Sequence, residues 1–223
     1  MKYRRLAAAL TAALCCAGLF GCSSTKADTS SVVIHEDGAG DLVEPAEDDP
    51  EYSLGSYRCS AGGVKLYYDE ETYPTSLMLY FEKLFGTYAD RDYDTYRSCI
   101  WPAYVEAMDE YLPKEFDYDL TTSFEQRCDT LQVEMGGSYR LTRIKADVPE
   151  EDFSDEFFSQ LSPICGDDFG EKVKEEADNL YCVQLYIMVM NETDTTDQLF
   201  FKNTEKGMGI VVAEKDGQYY AFC

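Results

Sequence analysis

The chain has 223 residues, with 19 Lys and Arg against 43 Asp and Glu and a formal net charge of −24. A surface this acidic repels nucleic-acid phosphates and anionic lipid headgroups, so neither is an expected partner. The length suits one domain with a flanking segment.

The first residues are set apart by composition. Lys2, Arg4 and Arg5 form a basic head, an alanine-rich apolar run follows from Leu6 to Phe20, and the sequence turns polar directly after Gly21-Cys22. A basic head, an apolar run and a small residue at the cut have the form of a secretory signal. With cysteine directly after the cut, the segment resembles a bacterial lipoprotein signal, although Phe20 stands where that family favours a smaller residue. The resemblance implies a signal peptide over residues 1–21. It also implies a diacylglyceryl thioether on Cys22, and palmitate acylation, that hold the protein outside the cytoplasm on the bacterial cell membrane. A membrane-spanning helix would need about 20 apolar residues, and the run here is shorter. A plain secretory signal with Cys22 incidental is the other alternative.

Residues 22–51 read as a tether. The acids Asp28, Glu36, Asp37, Asp41, Glu44, Glu47, Asp48, Asp49 and Glu51 face a single lysine, Lys26, and large apolar residues are sparse. Such a segment buries too little to order itself, and like charges extend it. His35, the chain's one histidine, lies here. The commonest general base is therefore missing from the rest.

Residues 52–223 are the expected globular part. A small hairpin is predicted around Gly62-Gly63. Leu77, Tyr80, Phe81, Leu84 and Tyr88 recur at helical spacing, so a helix is predicted from Pro74 to Ala89. Asp92 offers an N-cap for a second helix to Ile100. Pro102 restarts the chain as a helix that Pro113 should close. Thr122 and Glu125 have capping-box spacing for another helix, ended by Gly136-Gly137. The period then changes to two: a strand is predicted from Ser138 to Val148. Two helices follow, Phe153–Leu161 and Phe169–Leu180, separated by Pro163 and Gly166. Tyr181 to Met190 alternates most clearly. Leu199–Phe201 and Gly209–Ala213 are expected to form one long, bulged strand. Asp216-Gly217 signals a tight turn into a last strand, Gln218–Cys223.

Helices first, then a strand, a helical stretch and an antiparallel meander define an α+β class. The order, with "GTYADRDYDTY" at the first helix junction and "GIVVAEKDGQYYAFC" at the end, resembles the nuclear transport factor-like, or SnoaL-like, family of cone-shaped domains. The resemblance covers roughly residues 74–223. It implies N-terminal helices packed on a curved antiparallel sheet, here with a helical insert between Glu150 and Leu180. That family includes enzymes, binding modules and scaffolds, so it implies no single activity.

Chemistry is sparse in the sequence. Cys59, Cys99, Cys128, Cys165, Cys182 and Cys223 are an even set in an exported domain, which points to disulfides of unknown pairing or to buried free thiols. No CxxC pair supports zinc. Asp90, Asp92 and Asp94 open like a calcium loop, but Thr95 and Trp101 break the pattern, and helix capping explains them better. Neither a metal site nor a cofactor is expected, and no catalytic set can be named. Enzymes of the resembled family use an Asp or Glu base with a Tyr donor. Tyr80, Tyr88, Tyr186 and Asp94 are residues of those types, but nothing local brings them together. The expected role is a lipid-anchored, non-catalytic module that binds an unknown protein or small molecule. A cavity enzyme of isomerase or cyclase type and a structural cell-envelope protein are the alternatives.

Overall fold

The computed structural model describes residues 33–193, 196–201 and 206–223. The signal peptide reading and Cys22 lie outside the described residues. Within them the protein is α+β, with six α-helices and a seven-stranded, mostly antiparallel open sheet.

The chain packs earlier than its charge suggests. Residues 33–51 were expected to belong to the tether, yet Gly40 donates to the Cys59 carbonyl at 2.8 Å and Val43 exchanges hydrogen bonds with Tyr57. Ala39 is fully buried. Glu51 explains why so acidic a stretch is held: its carboxylate accepts from the Lys65 ammonium and the Arg143 guanidinium, and from the Tyr67 hydroxyl at 3.0 Å. A 3₁₀ turn, Tyr52–Leu54, leads on to the sheet. The expected boundary at Tyr52 therefore falls inside packed structure.

Strands β1 (Arg58–Cys59) and β2 (Lys65–Tyr67) form the small hairpin. Helix α1 (Thr75–Asp90) buries Leu77, Tyr80, Phe81, Leu84, Phe85 and Tyr88 along one face and stops where Arg91 turns left-handed at φ 56°. Asp92 caps α2 (Tyr93–Ser98) by accepting from the Thr95 amide at 3.0 Å. Helix α3 (Pro102–Phe116) runs through Pro113 instead of closing there. Proline's φ is itself helical, and this close to the end only one donated bond is lost. Helix α4 (Leu120–Glu134) is capped by Asp119, which accepts from the Thr122 amide at 2.7 Å, so the cap lies three residues before the expected Thr122.

Strand β3 (Tyr139–Asp147) is followed by α5 (Ser154–Cys165), which contains Pro163, and α6 (Phe169–Glu176). Strand β4 (Asn179–Asn191) is the central rail, with Val183, Leu185, Ile187 and Val189 all buried. The expected single bulged strand is two: β5 (Asp197–Leu199) pairs with residues 188–190 of β4, and β6 (Met208–Lys215) with residues 179–185. Asp216 at φ 52° and Gly217 at φ 72° make the tight turn into β7 (Gln218–Ala221). Left-handed backbone at both positions matches the twist of the strands.

The sheet order is β1-β2-β3-β4-β6-β7, with β2 and β3 parallel and the other pairs antiparallel. One hydrophobic cluster joins α1–α6 to β2–β4, β6 and Phe222. At the end of β7, Ala221 pairs back to the α2–α3 junction: its amide donates to the Cys99 carbonyl and its carbonyl accepts from Trp101, both at 2.9 Å.

No two of the six expected cysteines are joined; all six are free thiols in the structure. Five lie on or at the end of different elements (β1, α2, α4, α5 and β4), and Cys223 follows β7.

Candidate functional site

An aromatic-lined cavity of about 640 Å³ is framed by α1–α5 and the start of β6. That size lies within the range of about 300–1,000 Å³ usual for small-molecule sites. Its floor is aromatic because helical spacing brings Phe85 and Tyr88 from α1, Tyr96 from α2 and Phe124 from α4 to one place. Tyr88 stacks on Phe124 with ring centroids 5.4 Å apart, and Tyr96 lies 4.7 Å from the same ring. Tyr104, Phe157 and Phe222 continue the lining, with Tyr104 edge-on to Phe222 at 6.3 Å.

One helix supplies both floor and rim. On α4, Leu120, Phe124 and Leu131 are buried, while Ser123, Arg127, Thr130 and Glu134 line the same cavity as a stripe at i, i+4, i+7 and i+11. Helical neighbours at these spacings share a face.

The tyrosines and the thiol of the cavity stay neutral at ordinary pH. Burial raises Tyr88, Tyr96 and Tyr104 above the ordinary tyrosine value, and Arg127 only partly opposes this at Tyr88. Burial likewise pushes the Cys223 thiol up to about 12. The Tyr96 hydroxyl donates to the Cys223 carbonyl. Cys128, Cys165 and Cys182 are pushed up to about 11, chiefly by burial. A thiol held protonated is a poor nucleophile.

The residues noted in the sequence are spread out. Tyr88 lies in the cavity. Tyr80 is buried and donates to the Cys99 carbonyl at 2.8 Å. Tyr186 lies on β4 beneath the Lys145 ammonium, 5.2 Å from its ring centre. Asp94 is exposed in the first turn of α2. These four do not form one constellation. The carboxylate that does share the cavity with tyrosines is Glu134, which no local pattern singled out. The detectable signal was the polar stripe from Ser123 to Glu134 on an otherwise apolar helix face.

Another cleft, of about 360 Å³ and richer in charged side chains, lies beside α1, the β1–β2 turn and β3. It is lined by Glu82, Lys83, Asp90 and Arg140. Burial raises the Glu82 carboxyl, and the Ser60 hydroxyl, donating at 2.7 Å, partly opposes this. Among the described residues no group of three His, Cys, Asp or Glu side chains could hold a metal ion. No helix among them is long and apolar enough to cross a membrane.

No family model, curated protein or solved structure matches the chain.

Proposed function

We propose that the protein is a lipid-anchored, extracytoplasmic binding module that holds a small, largely apolar ligand in the aromatic cavity. The cavity carries this reading: about 640 Å³ lined by rings from separate elements and ringed by the polar stripe of α4. Apolar walls with a few placed polar groups are the usual composition of a ligand site. The raised tyrosines and thiols favour binding over turnover, because a general base or nucleophile needs an ionised or readily ionised group. The helix-on-sheet layout is compatible with the cone-shaped, SnoaL-like arrangement that the element order resembles, with α5 and α6 as its helical insert. An enzyme of that kind would use the Glu134 carboxylate with one of the cavity tyrosines.

An environment-sensitive apolar dye should brighten on the folded protein. Ser123→Trp should abolish that signal without lowering Tm, because the new ring fills the mouth from an already solvated helix face. A dye response unchanged by Ser123→Trp would place binding elsewhere and sink the reading.

Anchoring is proposed to rest on Cys22, where apolar sequence gives way to polar. Cys22→Ala should abolish labelling by a palmitate analogue and release the protein from the membrane fraction. A labelled, membrane-held variant would refute it.

A further inference from the structure

We propose that the ligand of the aromatic cavity is an apolar molecule ending in a carboxylate, of fatty-acid type, with its head on Arg127 and its chain among the rings. This rests on the reading of the cavity as a ligand site and specifies what it takes.

Charge complementarity carries the inference. In a chain of net charge −24, arginines are readily neutralised by neighbouring acids. Arg58 pairs with Asp37 and Glu70, Arg91 with Glu125 and Asp129, Arg97 with Asp109 and Arg143 with Glu51, whereas Arg140, in the other cleft, meets only the Met190 sulfur among the described residues. Arg127 lines the cavity, and among the described residues it has no carboxylate partner. Its charge is felt at Tyr88 and Cys223 on the floor, where it opposes the effect of burial. A guanidinium presents a planar fork that matches a carboxylate with two hydrogen bonds.

Two further features agree. The Tyr104 hydroxyl makes no hydrogen bond among the described residues and, kept protonated by burial, remains a donor. The cavity also has a polarity along its length. Glu134 lies two helical turns beyond Arg127, roughly 10 Å along α4. It repels an anionic head from that end and directs it towards Arg127. Much of the remaining lining is apolar: Phe85, Phe157, Met108, Met208 and Ile210.

The test uses the folded protein with decanoate, decanol and decyltrimethylammonium as probes. These share a chain and differ in head charge. Trp101, the one tryptophan, lies 6.0 Å from Phe222 of the cavity wall, so its fluorescence reports occupancy alongside the shift in Tm. Decanoate should bind more tightly than decanol. Arg127→Gln should weaken decanoate about tenfold, the scale of a lost charge-assisted hydrogen bond, and leave decanol unchanged. Arg127 is exposed on a helix, so the variant should fold normally. Equal binding of decanoate and decanol, or equal losses on Arg127→Gln, would overturn the ligand class while leaving the cavity as a site. Tightest binding by decyltrimethylammonium would assign the head to Glu134 and equally overturn the proposal. No response to any of the three would overturn the cavity reading along with it.

Discussion

Phe222→Ala is expected to destabilise the protein by about 3–4 kcal/mol, within the range for truncating a buried phenylalanine. Phe222 is 4% exposed and is the hub of an aromatic cluster. Its ring lies 5.2 Å from Phe158, 5.9 Å from Phe169, 6.0 Å from Phe157 and Trp101, and 6.3 Å from Tyr104. Those partners come from α3, α5, α6 and the α2–α3 junction, so one side chain joins four parts of the molecule. Truncation removes transfer energy and leaves a hole that rigid neighbours fill poorly. Phe222→Leu should cost about 1 kcal/mol, because volume and apolar character are largely kept. Denaturant unfolding followed by Trp101 fluorescence checks both. A Phe222→Ala loss below 1 kcal/mol would mean that the cluster does not hold these helices.

Glu51→Gln is expected to lower stability by about 2 kcal/mol at neutral pH, the scale of lost hydrogen bonds to charged groups. For a domain of this size that lowers Tm by roughly 4–8 °C. Burial alone would raise the Glu51 carboxyl, but Lys65, Arg143 and Tyr67 together outweigh it and hold it below its ordinary 4.5. A lowered carboxyl contributes stability that is complete above the unfolded value and is lost as pH falls through the folded one. The gap between wild type and Glu51→Gln should therefore be full at pH 7, narrow below about pH 4.5, and close once wild-type Glu51 is protonated. Thermal melts from pH 7 to pH 3 measure it. A gap that stays constant with pH would mean that the carboxylate charge is not what holds residues 33–51 in place.

These two residues also mark where the sequence was readable. Local periodicity places β4 through Val183, Leu185, Ile187 and Val189, α1 through its spaced rings, and the last hairpin through Asp216-Gly217. Each of those signals lies within a few residues of what it specifies. Glu51 looks like one more acid in an acidic run, because its partner Arg143 is 92 positions away. Pro113 and Pro163 read as stops, yet both are accommodated within the last turns of α3 and α5. The division of the expected long strand into β5 and β6 depends on both pairing with β4, which neither segment encodes alone. The cavity was hidden for the same reason. Tyr88 drew notice as an abundant residue type, whereas Arg127, Glu134 and Tyr104 gain meaning only when α3 and α4 face each other across the floor.

The return of the chain end to its helical half sets the order in which the molecule can assemble. Lys65 meets Arg143 in the parallel ladder, Ile100 bridges Ala221, and the Tyr96 hydroxyl reaches a carbonyl 127 positions away. Short helices form within about a microsecond, whereas pairings so distant must first overcome the entropy of closing large loops. Folding dominated by such contacts proceeds over milliseconds to seconds. Helices α1–α4 therefore wait, with their tyrosine and phenylalanine faces bare, until β6, β7 and Phe222 arrive to cover them. That interval, more than any property of the finished fold, is when this chain is most exposed to aggregation.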